Sequence, residues 1–260
     1  MASTPLPYKV IFVAGMSRAG SMWTYNVVRR LIRRSGYAPL PEEIPVEDLT
    51  EHVDELLKTA GDRDVLCLKT HRALQPITAD MRIICPYRDV RDAMYSYMKF
   101  MRCPFERALK AASSMMDKTD YYLLPHRENV LPLRYNGIID SPESTIRRIV
   151  RFLEMGVSAK DIEEIASNLS RRKVSNYLKS LDRIEVDEHG NTEAGGDTSR
   201  YSSAPRLDGS YRVYDKSTGF QSNHITTRKE GEWRHGLSQP QRETLMRTVS
   251  PWLIKHGFPL

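Results

Sequence analysis

Apolar residues along this chain follow two alternating patterns. Short, near-continuous apolar runs at 10–14, 65–69, 82–87 and 130–135 predict strands buried on both faces. Between them the period lengthens. Residues 21–34 carry Val27, Val28, Leu31 and Ile32 on one helical face, and 46–60 place Leu49, Val53, Leu56 and Leu57 at helical spacing. A third helix is predicted to open just after Arg88. A fourth begins with Ser141 as N-cap and Pro142 at the first helical position, and the last starts at Ser238 with Gln241 completing a capping box. Strands alternating with helices predict an α/β fold, a single domain in which a central parallel β-sheet is flanked by helices.

The periodicity dissolves over about 182–223, a polar stretch containing "DRIEVDEHGNTEAGGDTSRYSSAPRLDGS". It is too long for an ordinary connection and reads as an insertion, either a loop or lid over a substrate or a disordered segment. No internal repeat is visible. At 260 residues, 40% hydrophobic, the chain can form one sizeable core, so residues 1–260 are taken as one domain.

Charge narrows the partners only in part. The net charge of +6 favours an anionic ligand, yet no run of five or six like charges marks a nucleic-acid tail. Three cysteines, Cys67, Cys85 and Cys103, are too few and too scattered for a disulfide framework or a zinc site, and no metal is expected. Cys67 and Cys85 read as small apolar residues in buried strands, as suits a reducing cytoplasm. The N-terminal residues lack a signal-like apolar stretch and no uncharged run of about 18 residues occurs, so the expectation is a soluble cytoplasmic protein without membrane contact.

Three strand ends carry candidate chemistry. In "GMSRAGSMW" the backbone amides of Arg18, Ala19, Gly20, Ser21 and Met22 would face an anion on the N-terminus of the first helix. Arg18 adds a forked charge suited to phosphate or sulfate, and Trp23, one turn on, is placed to stack on a base. In "VLCLKTHRALQP" a strand closes on Lys69 and His71, at the edge where open α/β sheets bind ligands. Neutral His71 is a candidate proton acceptor there. In "RIICPYRDVRDAMYSYMKF" a strand ends at Arg88 and a helix carries Ser96, so the two could grip a second phosphate. The alternative is that Arg88 pairs with Asp89 or Asp92.

In this order and spacing these elements resemble a sulfotransferase that uses 3′-phosphoadenosine 5′-phosphosulfate (PAPS). "SRAGSMW" is similar to the family's 5′-phosphosulfate loop at Gly20 and Trp23, with Arg18 where the family usually has Lys. "LKTHRALQP" resembles its Lys-Thr-His segment, and "YRDVRDAMYSYMKF" its 3′-phosphate motif, an Arg followed eight residues later by a Ser. "VLPLRYNGIIDSPESTIRRIVRFLEM" and "HITTRKEGEWRHGLSQPQ" are similar to its later strand-helix and C-terminal segments. The likeness runs from Val10 to about Gln241, apart from the polar insertion.

The resemblance implies a P-loop-like three-layer fold and a set of roles. Arg18, Gly20, Ser21 and Met22 would bind the 5′-phosphosulfate, Trp23 would stack on adenine, and Tyr135 would lie near the base. Arg88 and Ser96 would hold the 3′-phosphate. His71 would deprotonate the acceptor, with Lys69 and Arg18 stabilising charge on the transferring sulfuryl group. The C-terminal segment implies Arg228, Lys229 and Gly231 near the 3′-phosphate, although an ungapped match puts Thr226 and Thr227 there instead. Arg18 cannot release a proton and would act by charge alone. The loop's missing Lys-Ser/Thr pair is then understandable, because sulfuryl transfer needs no bridging metal.

Two other readings compete. A P-loop-type nucleotide kinase would want Gly-Lys-Ser/Thr after the first strand and an Asp closing a later one, where this chain has Gly-Ser-Met and Tyr-Arg. A non-catalytic nucleotide-binding protein would have no use for His71. The acceptor is expected to be a small molecule sulfated on a hydroxyl or amine, as in natural-product or phenol tailoring. Asp182, Glu185, Asp187, Glu188, Glu193 and Asp197 either attract a cationic acceptor or form a solvated acidic loop.

Overall fold

The computed structural model describes residues 6–124, 128–193, 200–222 and 230–260. Its centre is a five-stranded, all-parallel sheet formed by β1 (Val10–Ala14), β2 (Ala38–Leu40), β3 (Asp64–Thr70), β4 (Met81–Tyr87) and β5 (Val130–Arg134). The strands lie in the order β2-β3-β1-β4-β5. Every residue of β1 is buried, and its side chains alternate between layers. Ile11 and Val13 pack with α1 (Ser21–Arg34), whereas Val10, Phe12 and Ala14 face the opposite layer with Leu66, Leu68 and Tyr122.

The helices complete three layers. α2 (Val53–Thr59) lies between β2 and β3 in sequence, and α3 (Val90–Met101) and α4 (Phe105–Leu123) lie between β4 and β5. The short α5 (Tyr135–Asp140) leads to α6 (Pro142–Phe152), α7 (Ala159–Asn168) and α8 (Arg171–Leu181). Ile146, Ile149, Ile162, Ile165, Val174 and Leu178 from α6, α7 and α8 share one core with α1.

Several expected boundaries are met. β1 and α1 fall where the pattern puts them. The helix after Arg88 starts at Val90, capped by the Asp89 carboxylate, which accepts from the Arg91 amide. Ser238 and Gln241 form both bonds of the expected capping box.

Two expectations are corrected. The helix expected over 46–60 is confined to a 3₁₀ turn at Thr50–His52 and α2. Asp48 accepts bonds from the Thr50 amide and hydroxyl and from the Thr70 hydroxyl, which keeps the preceding chain out of a helix. Tyr135 opens α5 rather than closing β5. The expected start of α6 is met, with Ser141 at the N-cap and Pro142 opening the helix, although the Ser141 side chain makes no capping bond.

The polar stretch at 182–223 is also more ordered than its composition predicts. It contains two antiparallel pairs, β6 (Glu185–Val186) with β7 (Thr192–Glu193), and β8 (Tyr201–Pro205) with β9 (Tyr211–Asp215). Ala204, Val213 and Tyr214 enter the main core. Asp215 is fully buried and accepts from Arg200 at 3.1 Å, from the Tyr177 hydroxyl at 2.6 Å and from Ser217 and Thr218. Polar residues hold this segment by bonding one another, a pattern without apolar period. The chain ends in α9 (Trp233–Gly236) and α10 (Gln239–Lys255).

Candidate active site

Because β1 is central, the segments leaving β1, β3, β4 and β5 emerge along one edge of the sheet. Register places Ala14 opposite Thr70, and Tyr87 opposite Arg134. A cavity of about 760 Å³ opens at that edge, and Arg18, Trp23, Lys69, His71, Arg88, Ser96 and Tyr135 all line it. The sequence motifs, up to 117 residues apart by numbering (Arg18 to Tyr135), thus share one wall.

The β1–α1 turn is built to leave amides open. Arg18 and Gly20 both take left-handed conformations, with φ of 65° and 83°. At Gly20 a Cβ would stand 3.1 Å from Ile138 and 3.3 Å from Tyr135, so the backbone lies close against α5. No side chain caps the N-terminus of α1, and its first turn holds no acid. The amide dipoles and Arg18 therefore act together on whatever anion approaches. Ser21 and Met22 line the cavity, and the Ala19 side chain is in the core, which leaves only its backbone for the turn.

Arg88 is held from several directions. Its Nη2 lies 3.3 Å from Asp92, its Nη1 donates to the Arg18 carbonyl at 3.4 Å, and its guanidinium stacks 4.3 Å from the Tyr135 ring centroid. Its Nε is buried with no protein partner. The pairing with Asp92 weighed as an alternative is therefore present, and it leaves the buried Nε without a bond. Burial raises the Asp92 pKa, with Arg88 opposing the shift. Asp92 also accepts the Gly231 amide at 2.8 Å, which ties the C-terminal segment to α3. Ser96 accepts from Arg18 Nε at 3.2 Å, so the β1–α1 turn and α3 are joined directly. Arg228, Lys229, Thr226 and Thr227 lie outside the described residues.

His71 Nδ1 is 2.8 Å from the Gly15 carbonyl oxygen. A carbonyl only accepts, so Nδ1 carries the hydrogen and Nε2 keeps its lone pair, 3.4 Å from Lys69 Nζ. Burial, then the neighbouring Lys69 charge, pushes the His71 pKa down to about 3. Burial also lowers Lys69, against the pull of Asp48. The pair is thus a neutral imidazole with its basic nitrogen turned toward the Lys69 side chain. A second cavity of about 190 Å³ shares Met22, Lys69, His71 and Gln221 with the first and is walled by Tyr25, Ile44, Val46 and Leu49.

Trp23 lines the larger cavity with its Nε1 donating to the Leu169 carbonyl at 3.0 Å, which fixes the ring's plane. Phe100, Tyr95 and Arg212 also line it, and sequence reasoning assigned them no role. Phe100 had a signal, since it follows Ser96 by one helical turn on α3. Arg212 had none, because it lies in the stretch without periodicity. Among the described residues no group of three His, Cys, Asp or Glu side chains is arranged as metal ligands would be.

A family model described as the sulfotransferase domain matches residues 9–199. The chain belongs to the sulfotransferase family. It is 23% identical over 223 residues to cytosolic sulfotransferase 11 of Arabidopsis thaliana, a match covering 72% of this chain and 63% of that protein. The chain thus spans a little under two thirds of that curated relative. Among solved structures it is similar to a mouse sulfotransferase complexed with PAP, with a TM-score of 0.64, 16% identity, and 95% and 84% of the two chains covered. Retinol dehydratase in complex with androsterone and inactive cofactor PAP gives a TM-score of 0.60 at 15% identity, covering 95% and 81%. These likenesses show that the sulfotransferase fold is shared. Among the described residues no helix is long and apolar enough to cross a membrane.

Proposed function

We propose that this protein transfers a sulfuryl group from PAPS to a hydroxyl or amine of a small molecule, such as a phenol or natural product. The carrying observation is that one cavity is lined both by a neutral His71, whose Nε2 keeps its lone pair beside Lys69, and by an uncapped helix N-terminus reinforced by Arg18. Family membership supports the same reading, as do neighbours whose structures contain PAP.

The residues present suit such a donor. The Arg18–Met22 amides with Arg18 offer donors for a phosphosulfate, and the unused Arg88 Nε offers one for a 3′-phosphate, with Ser96 beside Arg18 between the two. Trp23 and Tyr135 supply aromatic faces for a base. When bound, PAPS supplies an activated sulfuryl group with a good leaving group.

The chain's own contribution is positioning, charge and one proton transfer. His71 Nε2 would take the proton from the acceptor's hydroxyl or amine, while Nδ1 stays fixed by Gly15. Lys69 and Arg18 hold positive charge where negative charge grows, and Arg18 does so without giving up a proton. The small cavity next to His71 and Lys69 gives the acceptor's apolar body a place. Solved neighbours contain retinol or androsterone, which supports a small-molecule acceptor. A cytoplasmic setting is supported by the relative's printed cytosolic description and by three buried free cysteines.

The cationic acceptor weighed above finds no support in the described acids of 182–192. Asp187 is taken up by its own turn, accepting from the His189 and Asn191 amides, and none of those acids lines either cavity.

The test is transfer of labelled sulfur from PAPS to a panel of phenols, alcohols and amines in EDTA, with His71→Ala as control. Transfer by the wild type, lost in the variant, is expected. Activity that requires ATP and a divalent metal would overturn the reading in favour of a kinase.

A further inference from the structure

The larger cavity holds a cation that the donor-binding scheme leaves unused. Arg212 on β9 reaches its wall, and its guanidinium carbon lies 4.6 Å from the Phe100 ring centroid; that of Arg18 lies 4.1 Å from the same centroid. Arg212 Nε donates to the Gln221 side-chain oxygen, and Nη1 is 3.6 Å from the Met101 sulfur. Both partners are neutral. Among the described residues no carboxylate comes within ion-pair distance of Arg212.

The neighbouring charge makes this position more demanding. Arg206, itself only 8% exposed, spends its Nη1 on the Tyr211 carbonyl at 2.7 Å, and its Nε has no partner. Burial, and then Arg206, lower the Arg212 pKa to about 10. A half-buried guanidinium beside another cation, without a carboxylate, is electrostatically incomplete until an anion arrives.

The anion could belong to the donor or to the acceptor. The donor's anionic groups already have partners in the Arg18 turn and at Arg88. The surroundings of Arg212 differ from both: Tyr97, Phe100, Met101 and Phe220 line the cavity with it, and Gln221, which it bonds, also lines the small cavity shared with His71. That is a place for the body of an aromatic or aliphatic acceptor, with a charge to be read at its end.

Resting on the sulfotransferase reading above, we propose that the acceptor carries an anionic group, such as a carboxylate, apart from the position to be sulfated, and that Arg212 binds it. Arg212 is then a specificity-determining residue supplied by the β8–β9 hairpin. The planar guanidinium, with Nε fixed by Gln221 and its face on Phe100, presents its remaining hydrogens to two oxygens in one geometry.

The experiment is calorimetric titration of the PAP-loaded protein with para-hydroxyphenylacetate and para-hydroxyphenylpropionate, each beside its neutral amide, for wild type, Arg212→Gln and Arg212→Lys. At least one carboxylate is expected to bind the wild type about tenfold or more tighter than its amide, as charge-assisted pairing allows. Arg212→Gln should abolish that advantage with PAP affinity held, which also shows that the variant is folded. Arg212→Lys should keep part of it. Equal affinities in every pair, absence of all binding included, or a preference that survives Arg212→Gln, would overturn the proposal. A matching loss of PAP affinity in Arg212→Gln would move the residue to the donor site and overturn it too. Failure of the wild type to bind PAP would instead sink the donor reading on which the proposal stands.

Discussion

His71 and Gly15 are joined by a hydrogen bond of 2.8 Å, from the imidazole Nδ1 to the carbonyl oxygen that follows β1. The bond links two adjacent strand ends, since β1 and β3 pair in register up to Ala14 and Thr70. It sets which nitrogen is free, and it holds the ring in the cavity wall beside Lys69. Replacing His71 by Ala should lower kcat by about 10²- to 10⁴-fold, the usual contribution of a general base. PAP affinity should stay within a factor of about two, as measured by calorimetry.

Gly15 is constrained for its own reason. A Cβ there would lie 2.4 Å from the Pro86 carbonyl oxygen and 2.8 Å from its nitrogen, both backbone atoms of β4. Gly15→Ala must push β1 and β4 apart or move the carbonyl that orients His71. The expected result is a loss of about 1–3 kcal/mol of stability, the range for overpacking, seen as a lower urea midpoint together with lower activity. A Gly15→Ala protein with unchanged midpoint would show that the two strands have slack there.

The depressed pKa of His71 gives a pH dependence with a definite sign. The folded value is about 3, against about 6.5 for an unperturbed histidine. Between those values the unfolded chain binds more protons than the folded one, so His71 makes stability fall as pH falls from about 6.5 toward 3. Above about 6.5 its contribution is flat. Urea denaturation at pH 5 and pH 7 should show a larger drop for wild type than for His71→Gln; equal drops would mean that His71 protonates normally in the fold.

In the proposed reading Arg88 holds the 3′-phosphate and Trp23 stacks on the base. Arg88→Gln should weaken PAP binding by about 10- to 100-fold, the range of a charge-assisted bond, while leaving 5′-AMP nearly untouched. Trp23→Ala removes a stacking surface worth about 1–3 kcal/mol and should weaken both ligands alike. Parallel titrations of the two variants separate these effects. A uniform loss in Arg88→Gln would place the residue elsewhere than at the 3′-phosphate.

Much of this was legible in the residues. The β-branched run of β1 and the amphipathic face of α1 placed both elements to the residue, because each is buried along its length by neighbours on the sheet. Strand ends point at the site in a parallel sheet, so Lys69, His71 and Arg88 could be found from their positions alone. What the pattern hid was built from polar bonds. The β8–β9 hairpin is organised around Asp215, whose partners Tyr177, Arg200, Ser217 and Thr218 look like loop residues in sequence. The start expected for the second helix failed for a similar reason, since the Asp48 side chain competes with helix for the Thr50 amide. Asp92, whose pairing with Arg88 was weighed from the sequence, shows its second tie, to Gly231, only in three dimensions.

The most direct measurement is calorimetric titration of the protein with PAP beside 5′-AMP and ATP, all in EDTA. The account predicts tight binding of PAP, with weaker binding of the two ligands that lack a 3′-phosphate. Equal affinity for all three would contradict it, leaving a general nucleotide binder in which Arg88 and Ser96 do not read a 3′-phosphate.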